Sequence, residues 1–166
     1  MTMKLRDVPI IPTAVMGIPV WYDAECEQIA EAIGYWPLKS IRVGPLFKTL
    51  HLVERNAVLY HEAGHSKLFH AEKRLLASLL IALNLKLIWR VLCAPAASDM
   101  ELMAMLPDNL TGIARKHETE ADAFAVEMGF GHGLLEFLQR FGRAQNNPMY
   151  PHPLERIAFI QGAMKC

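Results

Sequence analysis

The sequence predicts an α+β fold that is mainly helical, with a small β-sheet near the N-terminus. Two short segments rich in β-branched and aromatic residues lie before residue 45, and such segments are typical of strands. Beyond residue 50 the apolar residues recur every three or four positions, which is the period of an amphipathic helix. The 166 residues contain no internal repeat, low-complexity tract or linker. We therefore expect residues 1–166 to form a single domain.

The N-terminal elements are predicted from short local patterns. Residues 18–22 (IPVWY) and 39–43 (KSIRV) predict two strands, because β-branched and aromatic side chains are frequent there. Gly44 ends the second strand. Between the strands, Asp23 has the character of a helix N-cap, so we predict a helix that begins there and ends at Gly34.

Helical periodicity predicts most of the remaining chain. Three glycines between residues 129 and 133 are predicted to interrupt it, and a loop is predicted near residues 146–148. The predicted helices cover residues 53–69, 75–94, 110–128 and 134–142, and a last helix begins at about Pro153.

The charges of the chain balance. There are 17 Lys and Arg residues and 17 Asp and Glu residues, which gives a formal net charge of zero. This balance gives no electrostatic reason for binding a polyanion, so we expect no nucleic-acid partner.

The cysteines and the N-terminus predict a cytoplasmic protein. Cys26, Cys93 and Cys166 are far apart and odd in number, so they form neither a Cys-x-x-Cys metal motif nor an even disulfide set. Reduced thiols in a reducing compartment fit this pattern. The apolar N-terminal stretch is interrupted by Pro9 and Pro12 and lacks the unbroken core of a signal peptide.

The apolar segment 75–94 bears on membrane contact. It is long enough to span a bilayer, but Lys86 and Arg90 lie inside it, and each charge at membrane depth costs roughly 2.5–3.5 kcal/mol. Ser78, Ala82, Lys86 and Arg90 are spaced by four and form a narrow stripe on one helix face. A helix covered by protein explains this stripe. Contact with a membrane surface, or with a second copy of the chain, explains it as well and stays open.

The motif HEAGH at residues 61–65 carries the predicted chemistry. On a helix, His61 and His65 project from one face, so both imidazoles can reach one metal ion. Glu62 lies about 100° around the helix axis, where it can take a proton from a metal-activated water. The spacing alone also fits a solvated polar stripe. Apolar neighbours such as Leu59 disfavour that alternative, because polar groups on an apolar helix need partners.

A third ligand is expected downstream, since catalytic zinc usually has three protein ligands and one open position. In the segment ETEAD, Glu118 and Asp122 are four residues apart and share a helical face. We predict that Glu118 completes the metal site and that Asp122 accepts a hydrogen bond from a ligating histidine. Glu120 is predicted to point away from the ion. Taken without HEAGH, the three carboxylates also fit a solvated acidic face.

Together these residues predict a zinc-dependent endopeptidase with one zinc ion per chain. The ion is expected to bind His61, His65 and Glu118. Glu62 is the predicted general base, which deprotonates the water and later passes the proton to the leaving amine. The expected partner is therefore a peptide or protein substrate.

Four segments of the chain carry a family resemblance, namely HEAGH, ETEAD, ADAFAVEMGFGHGLL and HPLERIAFI. They resemble the gluzincin family of zinc metallopeptidases that contains the CAAX prenyl proteases and the membrane protease HtpX. The likeness runs from about residue 41 to residue 161. Those enzymes carry several membrane spans, whereas this chain is similar to a minimal catalytic domain of the gluzincin type.

The resemblance implies a zincin-type core with an active-site helix, a glutamate helix and a short edge strand that pairs with extended peptide. Ser40–Val43 is the predicted edge strand. The resemblance also implies that His152 and Arg156 lie near the site. His152 is predicted either to donate to the oxyanion formed during hydrolysis or to hold the chain between Pro151 and Pro153. Arg156 is predicted either to steady an acidic group or to cap the last helix.

The other histidines are assigned lesser roles. His51, His70 and His132 have no partner at metal-binding spacing, which predicts surface or structural positions. His117 adjoins Glu118 but points about 100° away from it on a helix, so we predict that it does not bind the metal.

Two other functions stay open. The motif Glu-x-Glu-Ala-Asx-x-Phe-Ala of regulator-cleaving metallopeptidases also fits residues 118–125, although the long spacer between the two metal motifs and the His152-Pro153 element disfavour it. The other alternative is a non-catalytic zinc-binding or scaffold protein on a metallopeptidase fold. Glu62 disfavours this alternative, because a purely structural metal site needs no general base.

Overall fold

The structure, a computed structural model, describes residues 11–92, 106–142 and 150–165 and confirms the mainly helical α+β fold. Four strands lie near the N-terminus, and helices make up most of the other described residues. The elements are β1 (Ala14–Val15), β2 (Ile18–Tyr22), β3 (Ala30–Ile33), β4 (Ser40–Val43), a 3₁₀ helix (Pro45–Thr49), α1 (Leu52–Lys67), α2 (His70–Leu92), α3 (Leu106–Glu127), α4 (Gly131–Phe141) and α5 (Pro153–Ala163).

The four strands form a small sheet in the order β1-β2-β4-β3. β2 and β4 run parallel, with Val20 opposite Ile41, whereas the β1–β2 and β3–β4 pairs are antiparallel. The strands predicted at residues 18–22 and 39–43 are therefore confirmed as β2 and β4. Ile41 and Val43 on β4 are fully buried and attach the sheet to the hydrophobic core.

Two predictions for this region are wrong. Ser40–Val43 is not an edge strand, because β4 lies between β2 and β3, and β3 forms the edge on that side. The predicted helix from Asp23 to Gly34 does not form. Asp23 Oδ1 accepts the N–H of Glu25 at 2.9 Å in a turn, and Ala30–Ile33 pairs with β4. Alanine and glutamate favour a helix locally, but the ladder with β4 supplies hydrogen bonds and packing that outweigh this small preference.

The remaining helices agree with the sequence pattern. The segments predicted near residues 53–69, 110–128 and 134–142 are confirmed as α1, α3 and α4, and α5 begins at the predicted proline. Because α4 already begins at Gly131, the glycines interrupt the helices only at residues 128–130. The loop predicted near residues 146–148 lies outside the described residues.

α1 is the central helix and packs against α3, α4 and the sheet. At Gly64, an added Cβ would lie 3.2 Å from the Phe124 side chain on α3. The glycine therefore lets the two helices approach closely, which brings the HEAGH side chains next to α3. The buried apolar side chains around α1 include Phe47, Leu59, Ala63, Leu134, Leu138 and Ile160.

α2 contains most of the apolar segment predicted as a helix at residues 75–94. Ser78 and Ala82 are half-buried, so the small residues and not the leucines face the protein. For residues 75–83, the interpretation as a helix covered by its own domain is therefore wrong, because the leucines are exposed. Lys86 and Arg90 lie outside the described side chains, and contact with a membrane surface or a second copy stays a prediction. The exposed leucines are Leu75, Leu76, Leu79, Leu80 and Leu83, each between 47% and 64% exposed.

Among the described helices, none combines the length and the apolar character that crossing a membrane requires.

Candidate metal centre

The structure brings the three predicted metal ligands together. α1 presents His61 and His65 one turn apart toward α3, and α3 contributes Glu118. His61 Nε2 and His65 Nε2 are 3.1 Å apart. The Glu118 carboxylate places Oε2 3.4 Å from His61 Nε2 and Oε1 3.3 Å from His65 Nε2. These three residues are called the metal group below.

The spacing and the chemistry of the metal group fit a zinc ion. Nitrogen and oxygen ligands lie about 2.0–2.2 Å from tetrahedral zinc, which puts them roughly 3.3–3.5 Å from one another. The three observed distances are close to this range. All three side chains are buried, with His61 6%, His65 9% and Glu118 7% exposed. Two imidazoles and one carboxylate are one of the donor sets found in catalytic zinc sites.

The electrostatics of the metal group favour positive charge at its centre. Burial opposes protonation of His61, but hydrogen bonds to Asp122 and Glu118 outweigh burial and raise the pKa of His61 to about 10. Burial also opposes ionisation of Glu118, yet its contacts with His61 and His65 hold the pKa of its carboxyl well below the usual value. A metal cation can replace this proton, so we expect metal binding to release it.

Asp122 lies one turn after Glu118 on α3 and is fully buried. Its Oδ1 is 2.9 Å from His61 Nδ1, which is a hydrogen-bonding distance although the angle departs from good alignment. Arg156 donates to both carboxylate oxygens of Asp122, from Nε at 2.8 Å and from Nη2 at 2.7 Å. Burial raises the pKa of Asp122, but Arg156 and His61 together hold this pKa below its usual value. The ionised Asp122 can therefore keep Nε2 of His61 turned toward the metal group.

Arg156 contacts the metal group as well as Asp122. Its Nη1 is 3.8 Å from Glu118 Oε2, and the guanidinium lines the same cavity as the metal group. Of the two roles predicted for Arg156, the contacts support steadying acidic groups.

The metal group lies in a cavity of about 500 Å³, and Glu62 lines this cavity beside it. Glu62 Oε2 accepts the backbone N–H of Ala32 on β3 at 2.7 Å, which ties the carboxylate to the edge strand. Burial raises the pKa of Glu62 above its usual value. A carboxylate with a raised pKa is a better proton acceptor near neutral pH.

The comparison with known families decides the class of protein. The sequence profile of peptidase family M48 matches residues 30–164. The chain belongs to peptidase family M48. No curated protein and no solved structure matches it. M48 peptidases are metallopeptidases that typically use zinc, which agrees with the predicted class of hydrolase.

In this M48 chain, His152 does not line the cavity of the metal group. The side chain is exposed, and its Nδ1 accepts the N–H of Leu154 at 3.3 Å at the start of α5. It lines a separate cavity with Leu138 and Pro153. The structure thus supports the predicted role of holding the chain at Pro153 and does not bring the predicted oxyanion donor to the metal group.

Tyr150 is a cavity residue of this M48 chain that the sequence pattern does not predict. It lines the cavity of the metal group two residues before His152. Burial, together with the Glu118 and Glu62 carboxylates, raises the pKa of the Tyr150 hydroxyl. Tyr150 therefore keeps its proton and offers a hydroxyl donor in the cavity. No motif spacing signals this residue, because Tyr150 lies outside the helices, where periodicity does not predict which side chains meet.

Two histidines outside HEAGH also lie next to the metal group. His70 and His117 are both buried, and together with Glu120 they form a second set of possible metal donors within the described residues. The surface position considered for His70 is therefore wrong. His51 is the N-cap of α1 and His132 is exposed, as predicted.

Replacing Asp122 by asparagine is expected to weaken zinc binding by this M48 chain roughly 10–100-fold, because removing the hydrogen-bond partner of a ligating histidine has effects of that size. Asparagine keeps the side-chain volume but loses the charge that faces His61 and Arg156. Titration of zinc against a competing chelator measures the change. Asp23→Asn is the matched control, since Asp23 pairs with Arg42 and does not line the cavity of the metal group. Equal zinc affinity of wild type and Asp122→Asn would contradict the assignment.

Proposed function

We propose that the chain is a zinc-dependent endopeptidase whose single ion is held by His61, His65 and Glu118. The observation that carries this proposal is the set of distances between their donor atoms, 3.1–3.4 Å, in a cavity that Glu62 also lines. Membership in peptidase family M48 supports the proposed class of reaction.

The number of ligands favours catalysis over a structural role. Within the described residues the metal group has three members, and a tetrahedral ion then keeps one position for solvent. A non-catalytic scaffold would be expected to close the site with a fourth protein ligand. In such a scaffold the half-buried Glu62 would serve only its hydrogen bond to the Ala32 N–H, whereas in a catalytic site it is also the base beside the metal group.

The proposed mechanism assigns the proton transfers to Glu62. When bound, zinc supplies Lewis acidity, which polarises the scissile carbonyl and acidifies the attacking water. Glu62 accepts a proton from that water as its oxygen attacks the carbonyl carbon. Glu62 then donates the proton to the amide nitrogen as the carbon–nitrogen bond breaks. The Ala32 N–H holds the carboxylate in the cavity during both transfers.

The edge strand β3 is the proposed binding surface for the substrate backbone. Residues 27–32 form one side of the cavity, and within the described residues β3 pairs with a neighbouring strand on one side only. On the unpaired edge, Glu62 accepts the Ala32 N–H and so lies where a bound peptide would meet β3. An extended peptide can add to such an edge as a further strand. β3 replaces Ser40–Val43 in this role. The proposed substrate is therefore an extended peptide or an unfolded segment of a protein.

The four sequence motifs support a finer proposal within the family. HEAGH, ETEAD and the two C-terminal segments resemble the gluzincins related to the CAAX prenyl proteases and HtpX. We place the chain with the minimal catalytic domains of that type, with residues 1–166 as one domain.

Chelation tests the proposed function. We expect zinc-loaded protein to cleave denatured casein, to lose this activity when 1,10-phenanthroline removes the metal, and to regain it when zinc is returned. A mixed peptide library read by mass spectrometry would reveal the cleaved bonds. The matched control is His65→Ala, purified and incubated with zinc in the same way, which exposes any contaminating peptidase. Cleavage by the wild-type protein that persists without metal would contradict the proposal.

A further inference from the structure

A chain of three side chains runs from the metal group through the buried His70 to the partly exposed Glu120. His65 turns Nε2 toward the metal group, and its Nδ1 lies 2.8 Å from Nδ1 of His70. On the far side of the His70 ring, Nε2 lies 3.0 Å from Glu120 Oε2. His70 is fully buried, so these two neighbours take the place of water. The three side chains are called the relay below.

The positions of the protons in the relay follow from metal binding. A neutral histidine that binds a metal through Nε2 carries its proton on Nδ1. His65 Nδ1 must then donate, and the facing Nδ1 of His70 must accept. The single proton of neutral His70 is therefore on Nε2, where it is donated to Glu120. One arrangement of protons satisfies both contacts, and it requires a carboxylate or another acceptor at residue 120.

A second metal ion at His70, His117 and Glu120 is the rival interpretation. The His117 ring stacks on His70 with centroids 4.2 Å apart and planes 2° apart, and Nδ1 of His117 has no hydrogen-bond partner in the described structure. An ion on Nε2 of His70 would move the proton of His70 to Nδ1. That proton would meet the Nδ1 proton of His65 across 2.8 Å. An ion at His70 therefore conflicts with an ion at the metal group.

We propose that His70 and Glu120 are positioning residues that hold the His65 ring in its metal-binding orientation. This inference rests on the proposed function only in that His65 is taken as a metal ligand. Each ligating histidine then has its own support: Asp122 holds His61, and His70 backed by Glu120 holds His65. Glu120 thus points away from the ion, as predicted, but it contacts the site through His70.

The rate of zinc dissociation tests the relay. We expect His70→Phe to raise this rate roughly 10–100-fold, because phenylalanine fills the space of the ring but cannot accept the His65 proton. His70→Asn should recover most of the loss, since the amide oxygen of asparagine occupies a position close to Nδ1 of histidine. A chromogenic chelator in excess reports the release of zinc from each protein.

Glu120→Ala is the second variant and keeps the test valid if His70→Phe does not fold. Glu120 is partly exposed, so its removal leaves the core intact. We expect a smaller increase in the zinc dissociation rate, because His70 then lacks the acceptor that orients it. Lys116→Ala is the matched control: Lys116 pairs with Glu120 at 3.7 Å on the surface but does not touch His70. Its dissociation rate should equal that of the wild type.

Cobalt substitution separates orientation of the ligand from simple loss of packing. The visible spectrum of cobalt(II) bound to the protein should change in His70→Phe and return toward wild type in His70→Asn, because that spectrum depends on ligand geometry.

Two results would overturn the proposed role of the relay. One is an equal zinc dissociation rate in the wild type and both His70 variants. The other is an equal increase of this rate in His70→Phe and His70→Asn. Two zinc ions per wild-type chain, one of them lost in His70→Phe, would establish the second metal site instead. A wild-type protein that binds no zinc would refute the proposed function itself.

Discussion

Replacing Glu62 by glutamine is expected to lower the rate of peptide hydrolysis by roughly 10²–10⁴-fold, which is the usual contribution of a general base. Glutamine keeps the shape of the side chain, and its amide oxygen can still accept the Ala32 N–H. It cannot accept a proton at neutral pH. Since Glu62 is not one of the three residues of the metal group, zinc content should stay at one ion per chain.

The measurement for this variant combines turnover and zinc content. kcat/KM on a peptide found to be cleaved is compared between wild type and Glu62→Gln, with zinc determined by elemental analysis of the same samples. Glu136→Gln is the matched control, because Glu136 is an exposed carboxylate on α4 that does not line the cavity of the metal group. Its turnover should stay near that of the wild type. Normal turnover by Glu62→Gln would refute the assigned base, and loss of zinc would place Glu62 among the ligands.

Removing a residue of the metal group is expected to abolish stoichiometric zinc binding. In His65→Ala or Glu118→Ala only two protein donors remain, and a buried partner of the lost group is left without its contact. The loss of affinity should exceed the roughly 10–100-fold expected for residues that support a ligand. Hydrolysis should disappear together with the metal.

Equilibrium dialysis against a defined free zinc concentration measures this effect. Wild type should retain one zinc per chain at a concentration where His65→Ala and Glu118→Ala retain almost none. His132→Ala serves as the control, since His132 is an exposed histidine on α4 and does not line the cavity of the metal group. Full zinc retention by both ligand variants would show that the metal is bound elsewhere.

The parts of the site that the sequence predicts are those set by helical periodicity. His61 and His65 share a face of α1, and Glu118 and Asp122 share a face of α3, because residues four apart are neighbours on any α-helix. The close contact of the two helices at Gly64 then brings both pairs together. A local rule therefore predicts four residues that the structure places in contact.

The relay is not predicted, because no local rule connects its members. His70 follows the end of α1, and Phe69 adopts φ 57° at the turn that begins α2. This turn carries His70 out of the register of HEAGH and back beneath His65. Glu120 is on the opposite side of α3 from Glu118 by sequence alone, and only the packing of α2 against α3 supplies its partner.

The prediction of the edge strand is wrong for a similar reason. Residues 30–33 (AEAI) favour a helix locally, and Ser40–Val43 is predicted as the edge strand from the family resemblance alone. Pairing between β3 and β4 is non-local, and it places the weaker strand former at the edge and the stronger one inside. Propensity thus predicts that strands exist in this region but not which of them borders the cavity.

The zinc K-edge X-ray absorption spectrum of the purified wild-type protein tests the central assignment most directly. The proposal predicts one zinc per chain with four light ligands at about 2.0–2.2 Å, two of them imidazoles that give their characteristic outer-shell scattering. In Asp122→Asn the number of imidazoles should stay the same. A sulfur ligand at about 2.3 Å, or a closed shell of four protein ligands, would contradict a catalytic site built from His61, His65 and Glu118.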